Sequence, residues 1–181
     1  MRLWLVRHAQ PLVAPGVCYG ATEVPADATA TIQAAQALAL ALPHSLRVIS
    51  SPLQRCHQLA RSLQELRPAL TYTNDPRLKE MNFGSWEGQR WADIAPQEFA
   101  KWTANFGNWR FGGVESVQDV MTRVASLWDE SRTAGDDVVW LTHAGVIRAA
   151  MLLAQGVREV TRADQWPSQS IAFGQATLLD L

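Results

Sequence analysis

Leu3-Trp4-Leu5-Val6-Arg7-His8-Ala9-Gln10-Pro11 is the stretch from which the rest of the chain can be read. The four leading apolar residues are too few for a helix. With no polar residue alternating among them, they read as a strand covered on both faces, the kind found in parallel sheets with helices on either side. Ligands of such sheets bind just beyond the carboxyl ends of the strands. Arg7 and His8 fall there, a forked cation beside an imidazole able to attack or to shuttle protons.

Near the other end of the chain the pattern returns. Val138-Val139-Trp140-Leu141 is a second short apolar run, followed by Thr142-His143-Ala144-Gly145 and then the helical spacing of Val146, Ile147, Ala150 and Met151. Two strands from distant parts of the sequence thus each deliver a histidine to the same sheet edge.

Between them, Pro11 to Pro25 lacks periodicity and reads as a loop near that edge. Its Cys18-Tyr19-Gly20-Ala21-Thr22 segment either supplies backbone donors to a ligand or is plain surface. A scaffold helix is predicted from about Thr29 to Leu42, with Ile32, Ala35, Leu38, Ala39 and Leu42 on its buried stripe and Pro43 ending it. Arg47 to Ser50 reads as a strand. Ser51, Pro52 and Gln54 then look like the N-cap, first position and capping-box partner of a helix. Arg55 falls in its first turn, where an anion is favoured, and is a candidate phosphate grip. His57 and His44 read as structural. Tyr72 to Asp75 suggests a short strand and turn. Glu80, set between Leu78, Met81 and Phe83, is a candidate general acid, with Glu87 competing for the role.

The 181 residues include eight tryptophans, and Trp86, Trp91, Trp102 and Trp109 share one segment. This argues for an aromatic excursion at about 84–115 from a single domain spanning 1–181, with a helix from about Trp91 to Phe106. Ser116 caps a core helix carrying Val117, Val120, Met121, Val124, Leu127 and Trp128. Ile171 to Phe173 and Ala176 to Leu179 read as final strands. Alternating strands and helices indicate an α/β three-layer sandwich, its central sheet mostly parallel and flanked by helices.

The formal net charge of −1 leaves no broad basic field for nucleic acid, so any anion must be held locally. No run approaches the roughly 20 apolar residues of a membrane span, and the first strand lacks the pattern of a signal peptide. A cytoplasmic protein is expected, with Cys18 and Cys56 as free thiols. The histidine and cysteine spacings signal no metal, and no glycine-lysine phosphate loop is present. No cofactor is implied. A homodimer is left open.

Leu5-Val6-Arg7-His8, Ser50 to Arg55, Leu78 to Gly88, Gly113 to Ser116 and Thr142 to Gly145, in that order, resemble the histidine phosphatase superfamily, which includes the phosphoglycerate mutases. Within it, Cys18-Tyr19-Gly20, Thr22 to Pro25 and the block from Glu80 to Gly88 are most similar to alpha-ribazole phosphatases of cobalamin assembly. The resemblance implies a metal-independent phosphomonoesterase acting on a small phosphorylated metabolite such as alpha-ribazole 5'-phosphate. His8 would accept the phosphoryl group, Arg7, Arg55 and His143 would hold it, and Glu80 would protonate the leaving alcohol. Gln10, Tyr19, Gly20 and Ala144 are candidate substrate contacts. The aromatic segment would either cap an apolar leaving group or pack upon itself. A mutase, a protein-phosphohistidine phosphatase and a weakly catalytic phosphate-binding module are the alternatives. The last is motivated by Ala9, where the family usually has glycine: if that position needs a positive φ or a close backbone approach, alanine is costly there.

Overall fold

The computed structural model describes residues 1–180. Five strands, Arg2–Arg7 (β1), Arg47–Ser50 (β2), Tyr72–Asn74 (β3), Val138–Thr142 (β4) and Ala176–Asp180 (β5), form one sheet in the order β3-β2-β4-β1-β5. All neighbours run parallel except β5, which lies antiparallel along β1. The sheet is therefore mixed but mostly parallel, and its central strands are apolar on both faces because both are covered.

The two-residue period of a strand decides which face each side chain serves. Leu3 and Leu5 of β1, Ile49 of β2 and Val138 and Trp140 of β4 point to one side. There they pack on Val117–Ala134 (α4) and Ala144–Ala154 (α5). Trp4, Val6, Val48, Val139 and Leu141 point to the other side, onto Ala28–Ala41 (α1) and Gln54–Leu66 (α2). At about 1.5–3 kcal/mol per large apolar side chain buried, these two layers dominate the stabilisation.

Ser116 caps α4 as expected, in a reciprocal capping box with Asp119, and Gly135 at φ +74° ends it. The first helix differs from its reading. It starts at Ala28 behind an Asp27 cap, and Ile32 is 52% exposed while Thr31, Ala34, Ala35 and Leu38 are buried. Small residues let α1 lie close to its neighbours. Thr31 can be buried because its hydroxyl donates to the Asp27 carbonyl at 2.7 Å. Ile171 to Phe173 forms no strand either. Gly174, at φ +71°, turns the chain there and donates its amide to the Arg7 and His8 carbonyls, so pairing begins only at Ala176.

The chain between β3 and α4 runs through three single 3-10 turns and one short helix, Pro96–Ala104 (α3). The helix expected from Trp91 forms only from Pro96, which occupies its first turn. Phe111, fully buried, is the hub of this region. Trp102 stacks on it at 4.4 Å between ring centroids, and Trp86, Trp91 and Phe99 also pack against it. Among the described residues no helix is long and apolar enough to cross a membrane.

Candidate active site

Strand register brings the two histidines together. Arg7 pairs with Thr142 across β1 and β4, so His8 and His143 are the first residues past the end of two adjacent parallel strands. The His8 amide donates to the Thr142 carbonyl at 3.0 Å, and the two imidazole centroids lie 5.1 Å apart. His8 is 2% exposed. Its Nδ1 lies 2.7 Å from the Ala9 carbonyl, which can only accept, so the proton belongs on Nδ1 and the lone pair on Nε2. Burial is the main reason that the His8 pKa falls to about 3, and the Arg55 and Arg7 guanidiniums push in the same direction. The imidazole is neutral at any ordinary pH.

Ala9 carries no strain. No residue other than glycine has a positive φ among the described residues, and the Ala9 methyl is buried in the core layer with Val6, Ala26 and Ala34. The backbone cost expected of alanine at a positive φ is therefore absent.

Arg55 is fully buried rather than solvated. The cap of its helix is two residues later than expected: Leu53 is the N-cap, and the Gln54 amide donates to the Glu23 carboxylate at 2.8 Å. Ser51 is thereby released for other work. It accepts from the Leu53 amide and meets His143 Nε2 at 2.8 Å. Arg55 Nη2 donates to the Gly20 carbonyl at 2.6 Å, Nη1 to the Thr22 carbonyl at 2.9 Å, and Nε to His143 Nδ1 at 3.2 Å. Because Nδ1 accepts, His143 carries its proton on Nε2, directed at the Ser51 hydroxyl. Complete burial, then the Arg55 charge and His8, hold the His143 pKa well below the usual histidine range. Each Arg55 Nη still has a second N–H to offer a ligand.

Arg7 is held from the far end of the chain. Its Nη1 donates to the Ile171 carbonyl at 2.6 Å, and its Cζ lies 3.7 Å from the centre of the Phe173 ring. Phe173 also meets the His8 ring, with centroids 5.5 Å apart. Burial lowers the Arg7 pKa, while Tyr19 and Glu80 oppose the shift.

In the loop at 18–22 three amides are occupied: Cys18 donates to the Gln89 carbonyl, and Ala21 and Thr22 donate to Glu87 at 2.8 and 2.7 Å. The Gly20 and Thr22 carbonyls orient Arg55. Glu87 also accepts from the Thr22 hydroxyl and the Phe83 amide, so it ties this loop to the turn at Phe83, whereas Glu80 lies beside His143 and the cavity. Burial alone would raise the Glu87 pKa; these donors bring it below its ordinary value. Gly20 is required by contact, since a Cβ there would stand 1.9 Å from the Met81 carbonyl oxygen. Tyr19 is half-buried, and the Arg55 Cζ lies 5.3 Å from its ring centre. Burial raises the Tyr19 pKa despite the two nearby guanidiniums.

Glu80 is fixed at both oxygens, by the Gly145 amide at 3.1 Å and the Met81 amide at 3.0 Å. Gly145 belongs to the first turn of α5, which the His143 position begins, so one helix end ties the carboxylate to the second histidine. Ala144 packs in the core beside them. Gln10 stands apart: its side chain is exposed and borders a hollow against α1 with Ala34 and Phe173. Beyond Glu80 opens a cavity of about 240 Å³ walled by Phe83, Trp102, Phe106, Arg148 and Trp166. Sequence reasoning gives Ser51 only a capping role and misses Gly145, Arg148, Trp166 and Phe173 as parts of the site. Of these only Arg148, one helical turn past Gly145, has a signal in its spacing.

Fixed cations around a neutral, buried imidazole suit a group with several negative oxygens and an atom open to attack. The fold is that of an α/β-class phosphate monoester hydrolase. The chain belongs to the histidine phosphatase superfamily, branch 1, whose sequence profile matches residues 3–170. It is 29% identical over 192 residues to the adenosylcobalamin/alpha-ribazole phosphatase of Salmonella typhimurium, covering 98% of this chain and 94% of that one. A mycobacterial glucosyl-3-phosphoglycerate phosphatase superposes with a TM-score of 0.82 at 25% identity, covering 98% of this chain and 88% of that one. A protein of Thermus thermophilus does so with a TM-score of 0.76 at 30% identity, over 99% and 94% of the two chains.

Proposed function

We propose that this protein hydrolyses a small phosphorylated metabolite through a phosphohistidine on His8, without a metal ion. Arg7 and Arg55 donate to the phosphoryl oxygens, and His143, bonded to Arg55 through Nδ1 and to Ser51 through Nε2, holds the Arg55 guanidinium in place. The Nε2 lone pair of His8 attacks phosphorus in line. As the P–N bond forms, the P–O bond to the alcohol breaks, and Glu80 gives its proton to the leaving oxygen. Water then attacks phosphorus, Glu80 takes a proton from it, and the P–N bond breaks to return neutral His8. The loose transition state makes positioning and fixed charge the main sources of acceleration.

The observation that carries this reading is the 2.7 Å contact of His8 Nδ1 with the Ala9 carbonyl, which assigns the proton to Nδ1 and leaves Nε2 as the nucleophile. Hydrolysis is favoured over a mutase by the relatives, which are named as phosphatases of chemically different esters. The unstrained backbone at Ala9 favours an active enzyme over a weakly catalytic module. Among substrates we favour alpha-ribazole 5'-phosphate, supported by the loop and Glu80 blocks and by the aromatic-walled cavity next to Glu80.

The test is a panel of alpha-ribazole 5'-phosphate, phosphoserine, glucosyl-3-phosphoglycerate and 3-phosphoglycerate, run with purified protein in EDTA and quenched with labelled ester. Acid-labile, alkali-stable label should appear on His8 and vanish in His8→Ala together with turnover. Turnover without such label would overturn the mechanism. Preference for another ester would overturn the substrate.

A further inference from the structure

The two cations assigned to the phosphoryl group are held in different ways. Arg55 is fully buried and spends a donor on each of three acceptors, the Gly20 and Thr22 carbonyls and His143 Nδ1. Arg7 has less in its own plane. Its Nη1 donates to the Ile171 carbonyl at 2.6 Å, its Nε is buried without an acceptor among the described residues, and Tyr19 lies within reach. These contacts fix one edge of the guanidinium and not the tilt of its plane.

The tilt is fixed by the Phe173 ring, whose centre lies 3.7 Å from the Arg7 Cζ. All five guanidinium N–H bonds lie in one plane, so an aromatic face can hold the group without taking a donor. The same ring meets the His8 imidazole, with centroids 5.5 Å apart, and so touches the cation and the nucleophile at once. Phe173 is partly exposed and stands outside both core layers, so packing of the body does not account for it. Its placement is nevertheless fixed. Gly174 turns at φ +71°, its amide donates to the Arg7 and His8 carbonyls at 3.1 Å, and a Cβ there would stand 2.9 Å from the Ala34 Cβ. The turn that presents the ring is thus seated between the end of β1 and α1.

We propose that Phe173 is the positioning residue of the phosphate grip: its ring holds Arg7 by the face and keeps the remaining N–H edge aligned beside His8. This rests on the hydrolase reading for what Arg7 holds, and goes beyond it by assigning the group that aligns Arg7. The role requires an aromatic face. An aliphatic side chain of similar bulk fills the space but offers the cation no ring quadrupole.

The experiment measures the binding of inorganic phosphate by calorimetry, and kcat/KM for p-nitrophenyl phosphate, in wild type, Phe173→Leu and Phe173→Tyr. Phe173→Leu should lose about tenfold in both quantities, and Phe173→Tyr less than about threefold. Because the ring is partly exposed, the melting temperatures should stay close to that of wild type, and Phe173→Met replaces Phe173→Leu should the latter not fold. Equal losses in the leucine and tyrosine variants, or no loss in either, would overturn the proposal. Arg7→Lys separates alignment from a merely structural role, since it keeps the charge and removes the plane. In that background Phe173→Leu should cost less than about twofold, and an undiminished loss would equally overturn the proposal. Phosphate binding that follows this pattern without turnover of any ester would defeat the hydrolase reading and leave the alignment standing. Turnover with a phosphate affinity indifferent to Phe173 would do the reverse.

Discussion

Adding one methyl group at Gly145 should silence the general acid without unfolding the protein. A Cβ on this residue would lie 2.3 Å from Oε1 and 3.2 Å from Cδ of Glu80, roughly 1 Å inside ordinary contact for the oxygen. The obstructing atoms are the end of a side chain, so the carboxylate can swing away at little cost, losing its 3.1 Å bond from the Gly145 amide. Stability then reflects two opposed terms: about 0.5–1 kcal/mol gained by replacing glycine in a helix, and about 1 kcal/mol lost with the hydrogen bond. The melting temperature of Gly145→Ala should therefore stay within about 4 °C of wild type. Catalysis has no such compensation. A displacement of about 1 Å at a reacting group costs on the order of 100-fold. The assay compares an alkyl phosphate, whose alkoxide needs a proton, with p-nitrophenyl phosphate, whose phenolate does not. The alkyl ester should lose about 100-fold in kcat and the aryl ester less than about tenfold. Equal losses on both esters would refute the assignment of Glu80 as the acid, and an unchanged kcat would refute the contact itself.

Further outcomes follow from other positions. With His8 depressed to about 3 and His143 well below its ordinary range, mainly by burial, the unfolded chain binds more protons than the folded one in mild acid. Stability should accordingly be fully present above about pH 6.5 and be lost as pH falls towards 3, by up to about 1.4 kcal/mol per pH unit for each histidine. Calorimetry should find a shallower slope in His8→Gln, and a melting temperature flat from pH 6.5 to 4 would contradict the burial argument. Gly20→Ala sets a Cβ 1.9 Å from a backbone oxygen that cannot swing aside, and should cost about 2–4 kcal/mol, or roughly 5–12 °C in a thermal melt. Ala9→Gly restores the usual family residue but empties a packed site. It should lower stability by about 1 kcal/mol and leave kcat/KM no higher, and a severalfold gain in activity would show that the alanine does impair the site.

Glu80 and Glu87 illustrate how far a one-dimensional reading reaches. Both carboxylates stand in the same short block, and nothing in spacing or composition separates an acid from a structural anchor. Their surroundings differ only in three dimensions: Glu80 takes the Gly145 amide beside His143, and Glu87 takes those of Ala21 and Thr22, all from distant segments. The loop at 18–22 escapes such a reading for the same cause. Its composition leaves donors and plain surface equally open, and folding delivers Glu87 to the Ala21 and Thr22 amides and Arg55 to the Gly20 and Thr22 carbonyls. Phe173 leaves no trace in the pattern, since it acts on Arg7 and His8 only because β5 folds back antiparallel along β1.

Sequence alone determined the two apolar strands with a histidine past each end, the helix turn that carries Arg55, the α/β class and the family. Those are local properties, set by hydrophobic period and by the restricted conformations of a few residue types. Only the tertiary structure decided that β1 and β4 are neighbours with Arg7 level with Thr142, that Arg55 is wholly buried against His143, and that Trp102 and Arg148 line one cavity beside Glu80. Strand order and register arise from burying both faces of the sheet at once, a condition on the whole chain that no single segment encodes.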